Sequence, residues 1–294
     1  MNHTAPSEHP FASRLARTAL AAIVCASAVA CPVVSAAGAP PTVPPGAAPL
    51  VEPPFPDATL AFADEFDGTT LDEGRWNRCH WWNDQGCTIV TNDELQWYVP
   101  EQVAVADGLL RLTVAERSIV GTNGIAYDYV SGMVSSGPPV YRGDSKFAFT
   151  YGTVEARINA PAGEGHWAAL WLLAASSYHL PEIDVVEILG IDPAEMVMSF
   201  HPLEGTGDRE QVRTRLAPEE LDDGWVTLRL DWYPGQIVWW VNGVERFRYE
   251  GDNVPDEPLY VIVNLAEGGT PGPPSADTPF PSSLLVDYVR VWQG

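Results

Sequence analysis

Cationic side chains are scarce in this chain. Its 294 residues carry 16 Lys and Arg against 39 Asp and Glu, a formal net charge of -23. A phosphate backbone or an anionic membrane rewards Lys and Arg, so this balance argues against nucleic acid and charged lipid as partners. A neutral ligand meets no such penalty. Cysteine is also sparse, at four. Cys25 and Cys31 lie in the N-terminal segment, which leaves Cys79 and Cys87 as an even pair suited to an oxidising compartment. A disulfide between them would close a short loop and contribute roughly 2–3 kcal/mol. Zinc is the alternative, with His80 beside Cys79, but no second Cys/His pair has the spacing. There is no P-loop, dinucleotide fingerprint, serine nucleophile elbow or H-E-x-x-H zinc helix. Convincing amphipathic helices are absent too.

No apolar run reads as a retained membrane anchor. Arg14 and Arg17 precede an apolar stretch from Thr18 to about Val34, which is short for a span and interrupted at Cys31-Pro32. Val34-Ser35-Ala36 resembles a signal cleavage site, so residues 1–36 read as a signal peptide, and export to the periplasm or the outside is expected. Ala28-Val29-Ala30 before Cys31 is a second candidate. It faintly resembles a lipoprotein box without the usual leucine. Residues 37–56 are dense in Pro, Ala and Gly and read as an extended linker. From 57 to 294 there is no further composition shift and no internal repeat, which predicts one domain, expected to be monomeric. A hydrophobic content of 46% is ample for its core.

What is present is a succession of short strand-like runs. They are Glu94–Val99, Val103–Ala106, Leu109–Ala115, Tyr129–Ser135, Phe147–Asn159, His166–Leu173, Glu182–Leu189, Met196–His201, Trp225–Trp232, Gln236–Val241, Val244–Tyr249, Leu259–Leu265 and Leu284–Trp292. Asp107-Gly108, Pro234-Gly235 and Asn242-Gly243 punctuate them as turns. Thr153, Glu155 and Arg157 alternate with Val154, Ala156 and Ile158, the pattern of a strand with one wet face. Many short antiparallel strands with regular turns predict an all-β, two-sheet sandwich of jelly-roll type.

Within this pattern, Pro181-Glu182-Ile183-Asp184-Val185-Val186-Glu187-Ile188-Leu189 places three acids in six residues of an otherwise aliphatic strand. Glu182 and Asp184 share one face. Strict alternation sends Glu187 to the apolar face, where an unpaired carboxylate is strongly disfavoured. One extra residue, a bulge at Val185-Val186, returns Glu187 to the face of the other two. Such a row suits glycoside hydrolysis, which needs one carboxylate beside the anomeric carbon and one carboxylic acid beside the leaving oxygen. The outer acids are about 13 Å apart at Cα along a strand. A concave face would let their side chains approach the roughly 5–5.5 Å of a retaining pair. Asp184 between them would couple the titrations. The competing reading is a solvated acidic edge strand, which the apolar flanks disfavour.

Other candidates surround this row. Trp167 and Trp171 alternate onto one face and could stack on sugar rings, or simply be core. His201 ends the next strand-like run and would approach the acids if the two strands pair antiparallel. Asn92 could offer an amide to sugar hydroxyls or cap a loop.

These blocks, in order, resemble glycoside hydrolase family 16, the laminarinase-like β-glucanases. The resemblance is carried by Phe62-Ala63-Asp64-Glu65-Phe66-Asp67-Gly68, Leu71-Asp72, Trp76, Tyr129-Val130-Ser131-Gly132 and Tyr151-Gly152-Thr153-Val154-Glu155-Ala156-Arg157. It continues through Gly165–Leu173, Glu182–Glu187, Asp231-Trp232, Asn264-Leu265-Ala266-Glu267-Gly268-Gly269 and Val286–Val291. It implies a concanavalin A-like jelly roll with a concave cleft, retention of configuration and no cofactor for catalysis. By position, Glu182 matches the nucleophile, Asp184 the assisting acid and Glu187 the acid/base. Trp167, Trp171 and His201 match sugar-holding positions. A structural calcium is implied, with Asp287 as side-chain ligand and Gly108 and Glu65 as carbonyl ligands. The E-x-D-x-x-E spacing is similar to that of β-1,3-glucanases, agarases and carrageenases, and favours a β-1,3-linked or mixed-linkage glucan as the polysaccharide partner. Ala168, where the family often has proline, and the Cys79–Cys87 loop with His80, Trp81 and Trp82 depart from the common pattern. Hydrolysis of another polysaccharide, transglycosylation and non-catalytic carbohydrate binding are the alternatives.

Overall fold

The computed structural model describes residues 57–80, 87–140, 142–176, 179–203 and 205–294. The expected signal peptide and linker, and Trp81 and Trp82, lie outside the described residues.

Two sheets pack face to face. The larger has ten strands, in the spatial order β14 (Val244–Glu250), β13 (Gln236–Val241), β12 (Trp225–Tyr233), β7 (Gly152–Asn159), β16 (Ser282–Gln293), β4 (Leu109–Val120), β5 (Ala126–Ser131) and β2 (Gln96–Tyr98). β1 (Thr59–Asp64) also pairs with β16, and β3 (Val103–Ala106) with β4. The smaller sheet has six strands, ordered β11 (Glu210–Arg215), β10 (Glu195–His201), β9 (Glu182–Leu189), β8 (His166–Ala174), β15 (Leu259–Glu267) and β6 (Met133–Ser135). This is the expected jelly-roll sandwich. Alternation along each strand supplies the core: Val154, Ala156 and Ile158 from β7 meet Ala168, Leu170 and Leu172 from β8 in one buried cluster. Ala168 fills a core position opposite Ile188 and Leu265.

The expected turns form. Ala106 pairs with Leu109 around Asp107-Gly108, and Val241 with Val244 around Asn242-Gly243, each loop having both residues at positive φ. The run from Tyr129 to Ser135, read as one strand, divides at Gly132 and contributes β5 to one sheet and β6 to the other. A Cβ on Gly132 would stand 2.4 Å from the carbonyl oxygen of Gln102, so the crossing needs glycine.

Four differences appear, three of them with local causes. β1 and β11 were not anticipated. Glu210–Arg215 is polar except for Val212, which packs against the core, and lies at the margin of its sheet, so one apolar residue left little alternation to read. Residues 147–151 do not extend β7, because Tyr151 takes a left-handed φ of 59° and the chain turns there. The face of β7 expected to be wet is instead covered. Thr153 donates to Asp231, and Tyr288 donates to Glu155 at 2.9 Å, leaving both Thr153 and Glu155 buried.

Candidate active site

The register of β9 contains the predicted bulge. Against β8, Leu170 stands opposite Val186 and the next residue, Trp171, opposite Asp184. Against β10, Val197 faces Glu187 and Ser199 faces Asp184. Val185 is the unmatched residue, and Ile183, Val185, Val186 and Ile188 all enter the core. Glu182, Asp184 and Glu187 therefore share the opposite face, where they line one cavity of about 750 Å³. The outer glutamates keep 23% and 15% of their side-chain surface exposed, while Asp184 keeps 7%. Solvent and ligand reach the two ends of the row more than its middle.

Side chains from the neighbouring strands hold the row. His201 pairs in register with Glu182, and its Nε2 lies 3.1 Å from Asp184 Oδ2 and 3.7 Å from Glu182 Oε1. Trp167 donates its indole N–H to Glu187 Oε1 at 3.1 Å. Trp171 donates to Asn264 Oδ1 at 2.8 Å, and Asn264 donates in turn to the Tyr98 hydroxyl. Both tryptophans line the cavity, so the alternation of β8 does bring them to the acid face. Ser199, opposite Asp184, accepts from Arg209 and Gln211, and Arg209 Nη2 reaches within 3.9 Å of Glu187 Oε2.

Charge crowding sets the proton affinities. Burial, then the negative charges of Asp184 and Glu187, push the Glu182 carboxyl well above the usual carboxylate range, with Arg209 opposing. Burial, then Asp184, push Glu187 up to about 7, against Arg209 and the Trp167 N–H. Like charges this close do not all ionise together, so the cluster retains a proton near neutrality.

Asn92 lies in the short turn beside the cavity and donates its amide to Glu94 Oε1 at 3.2 Å. That leaves its carbonyl oxygen as the group free to accept. Glu94 itself was missed by sequence reasoning. It is buried, lines the same cavity, and accepts from Gln96 at 2.6 Å. Burial pushes its carboxyl up to about 7, against hydrogen bonds from Gln96, Asn92 and their neighbours. The available signal was the alternation of Glu94, Gln96 and Tyr98 against Trp97 and Val99. Arg209, Asn264 and His179, the last two also lining the cavity, were missed as well. They come from segments whose placement depends on the tertiary fold.

Cys79 and Cys87 form a disulfide, so the zinc alternative falls away. His80 stacks parallel to Trp171, 6.1 Å between ring centres, and its Nε2 lies 2.9 Å from the Tyr260 hydroxyl. His80, next to the bridge, thus backs the cleft floor. Among the described residues, Glu182, Asp184 and His201 are the one group of three His, Cys, Asp or Glu side chains close enough to share a metal ion.

The implied calcium residues lie elsewhere. Asp287 is the extra residue of a bulge in β16, Glu65 follows Asp64, which faces Val289, and Gly108 precedes the β4 segment whose Leu110 faces Val286. The register thus gathers all three at one corner of the larger sheet. Their donors are hard oxygens, as calcium requires. Arg157 donates to Asp287 Oδ2 at 3.0 Å, and the Glu65 carboxylate pairs with Arg290, leaving the Glu65 carbonyl as its available ligand.

Comparison with known proteins agrees with this geometry. The model of glycosyl hydrolases family 16 matches residues 91–288. Endo-1,3-1,4-beta-glycanase EglC of Rhizobium meliloti (strain 1021) is 34% identical over 250 residues, covering 80% of this chain and 51% of that protein. A beta-glucanase of Rhodothermus marinus is 28% identical, covering 81% of this chain and 86% of that one. The catalytic domain of a laminarinase from Thermotoga petrophila RKU-1 superposes with a TM-score of 0.72 at 28% identity, over 81% of this chain and 98% of that domain. The chain spans about half the length of the two Rhizobium meliloti relatives it matches, at 51% of each. With the match extending over most of the sandwich and all three acids, the chain belongs to glycosyl hydrolases family 16.

Proposed function

We propose that this chain is an endo-acting, retaining glycoside hydrolase that cleaves β-1,3-linked or mixed β-1,3-1,4-linked glucan. The observation that carries the reading is the bulge at Val185, which lines up Glu182, Asp184 and Glu187 on the cleft face. Named relatives include endo-1,3-1,4-beta-glycanases and laminarinases, which supports a glucan as substrate.

In this mechanism a Glu182 oxygen attacks the anomeric carbon as the bond to the leaving oxygen breaks. Glu187 gives that oxygen its proton. Water then attacks the same carbon, passing its proton to Glu187, and the Glu182 carboxylate departs. The crowded row holds a proton, and for the first step that proton must rest on Glu187 with Glu182 ionised. His201 and Asp184 hold the Glu182 end of the row, and binding of sugar against Trp167 and Trp171 orients the chain. The protein's own carboxyls supply all of the proton transfers. Calcium at Asp287, Glu65 and Gly108 is a structural proposal with no part in these steps. Export by the N-terminal segment, and action as a monomer outside the cytoplasm, complete the reading.

Purified protein incubated with laminarin and lichenan should release short oligosaccharides, with the first-formed anomer retaining the β configuration by proton NMR. An α anomer formed first, or tight binding with no new reducing ends, would overturn it.

A further inference from the structure

Trp239 reaches the acid strand from the opposite sheet. It sits on β13, opposite Leu230 and Phe247, fully buried and stacked on the Phe247 ring at 4.6 Å. Its Nε1–H crosses the core and donates to the carbonyl oxygen of Asp184 at 2.8 Å. Asp184 immediately precedes the unmatched residue of the bulge. A bulge disrupts the ladder locally and leaves peptide groups to find partners outside it. Here the carbonyl is directed into an apolar layer beside Val185, Val186 and Met198. A buried carbonyl with no donor is strongly disfavoured, and an indole supplies one donor, no acceptor and a large apolar body.

We propose that Trp239 is a positioning residue for the reaction: its indole N–H holds the Asp184–Val185 peptide and so fixes where Glu187 stands relative to Glu182. The inference rests on the glycosidase reading above. Without that donor, the peptide regains a partner only by turning back toward β8 or β10. Such a turn moves the extra residue, and Glu187 moves with it. A displacement of about 1 Å at a reacting group lowers turnover by about 100-fold.

Trp239→Phe keeps an aromatic ring and removes the donor. The expected result is a folded protein with kcat about 10- to 100-fold lower, KM within about twofold, and a displaced alkaline limb of the pH–rate profile. Trp232→Phe is the control. Trp232 is equally buried, and donates its indole N–H to the carbonyl of Pro255 at 3.1 Å, away from the acid row. That variant should melt earlier yet keep kcat within about twofold. Equal loss of kcat in the two variants, or parental kcat in Trp239→Phe, overturns the proposal. Should Trp239→Phe fail to fold, hydrogen exchange in the unsubstituted protein decides. The indole proton of Trp239 should then exchange as one unit with the amides of Val185 to Glu187, and independent exchange overturns the anchor. This last readout needs no substrate. Failure of the unsubstituted protein to cut any glucan would therefore count against the glycosidase reading, separately from the anchor.

Discussion

Trp167 donates its indole N–H to Glu187 from the adjoining strand, 3.1 Å away. That bond and the Arg209 guanidinium both favour the ionised carboxylate, against burial and the charge of Asp184. Removing either raises the proton affinity of Glu187. In the proposed mechanism the protonated form is the active acid, so kcat/KM should decline above about pH 7 in the unsubstituted enzyme. Arg209→Gln should move that decline upward by roughly half a pH unit. Trp167→Phe should move it the same way while raising KM, because in the proposed mechanism the same indole binds the sugar. A decline that moves down, or stays fixed in both variants, contradicts the assignment of Glu187.

Glu182→Gln and Glu187→Gln each remove one half of the double displacement. Both should lower turnover on laminarin by at least about 1,000-fold, with unchanged circular dichroism. A Glu182→Ala variant, which leaves room for an anion, should regain turnover with azide as an external nucleophile and yield an α-glycosyl azide. Near-normal turnover in either variant on every active glycan would sink the roles given to these acids.

Inserting an alanine after Val186 tests the count of residues in the bulge. The one bulge already present accommodates one extra residue, so a further one turns Glu187 to the face occupied by Ile183 and Val186. The expected protein has no measurable turnover and a melting temperature lower by several degrees, since a carboxyl is forced into the core. An active insertion variant would show that the row does not depend on the number of residues between Asp184 and Glu187.

Glu94 ties stability to pH. Its folded-state pKa of about 7 lies above the ordinary 4.5, so between those values the folded chain holds a proton that the unfolded chain has released. Stability from this group is complete below the window and is lost as pH rises through it, by up to about 3 kcal/mol. The melting temperature should therefore be higher at pH 5 than at pH 8. Glu94→Gln should flatten this difference, and an unaltered pH slope in that variant would refute the account.

Calcium should act on stability alone. Millimolar calcium is expected to raise the melting temperature by a few degrees, and Asp287→Asn to abolish that response while leaving kcat intact. Identical melting curves in calcium and in chelator would remove the site.

Much of this was readable before any coordinates. The bulge followed from one conflict: Glu187 in an aliphatic strand either turns outward or is buried unpaired. The pairing that brings His201 to the acids was stated as a condition, and the antiparallel register of β9 and β10 meets it. Other features depend on contacts between layers, which a linear pattern does not encode. Alternation puts Trp239 inside, but cannot say that its N–H meets Asp184 in the other sheet. Glu155 alternates like a solvated residue, yet Tyr288 and its neighbours cover it. Glu94 looked like an ordinary polar strand position, because two of the three donors gathered around it, Ile89 and Asn92, come from a turn rather than from a motif.

The smaller sheet ends at β11, whose six residues Glu210-Gln211-Val212-Arg213-Thr214-Arg215 include three charged side chains, with Arg213 paired to Glu195 and Arg215 to Asp192. A margin of that kind is a poor template for another ribbon of backbone, since any newcomer must strip water from guanidinium and carboxylate groups before it can pair. The border strand thus guards against fibrous self-association.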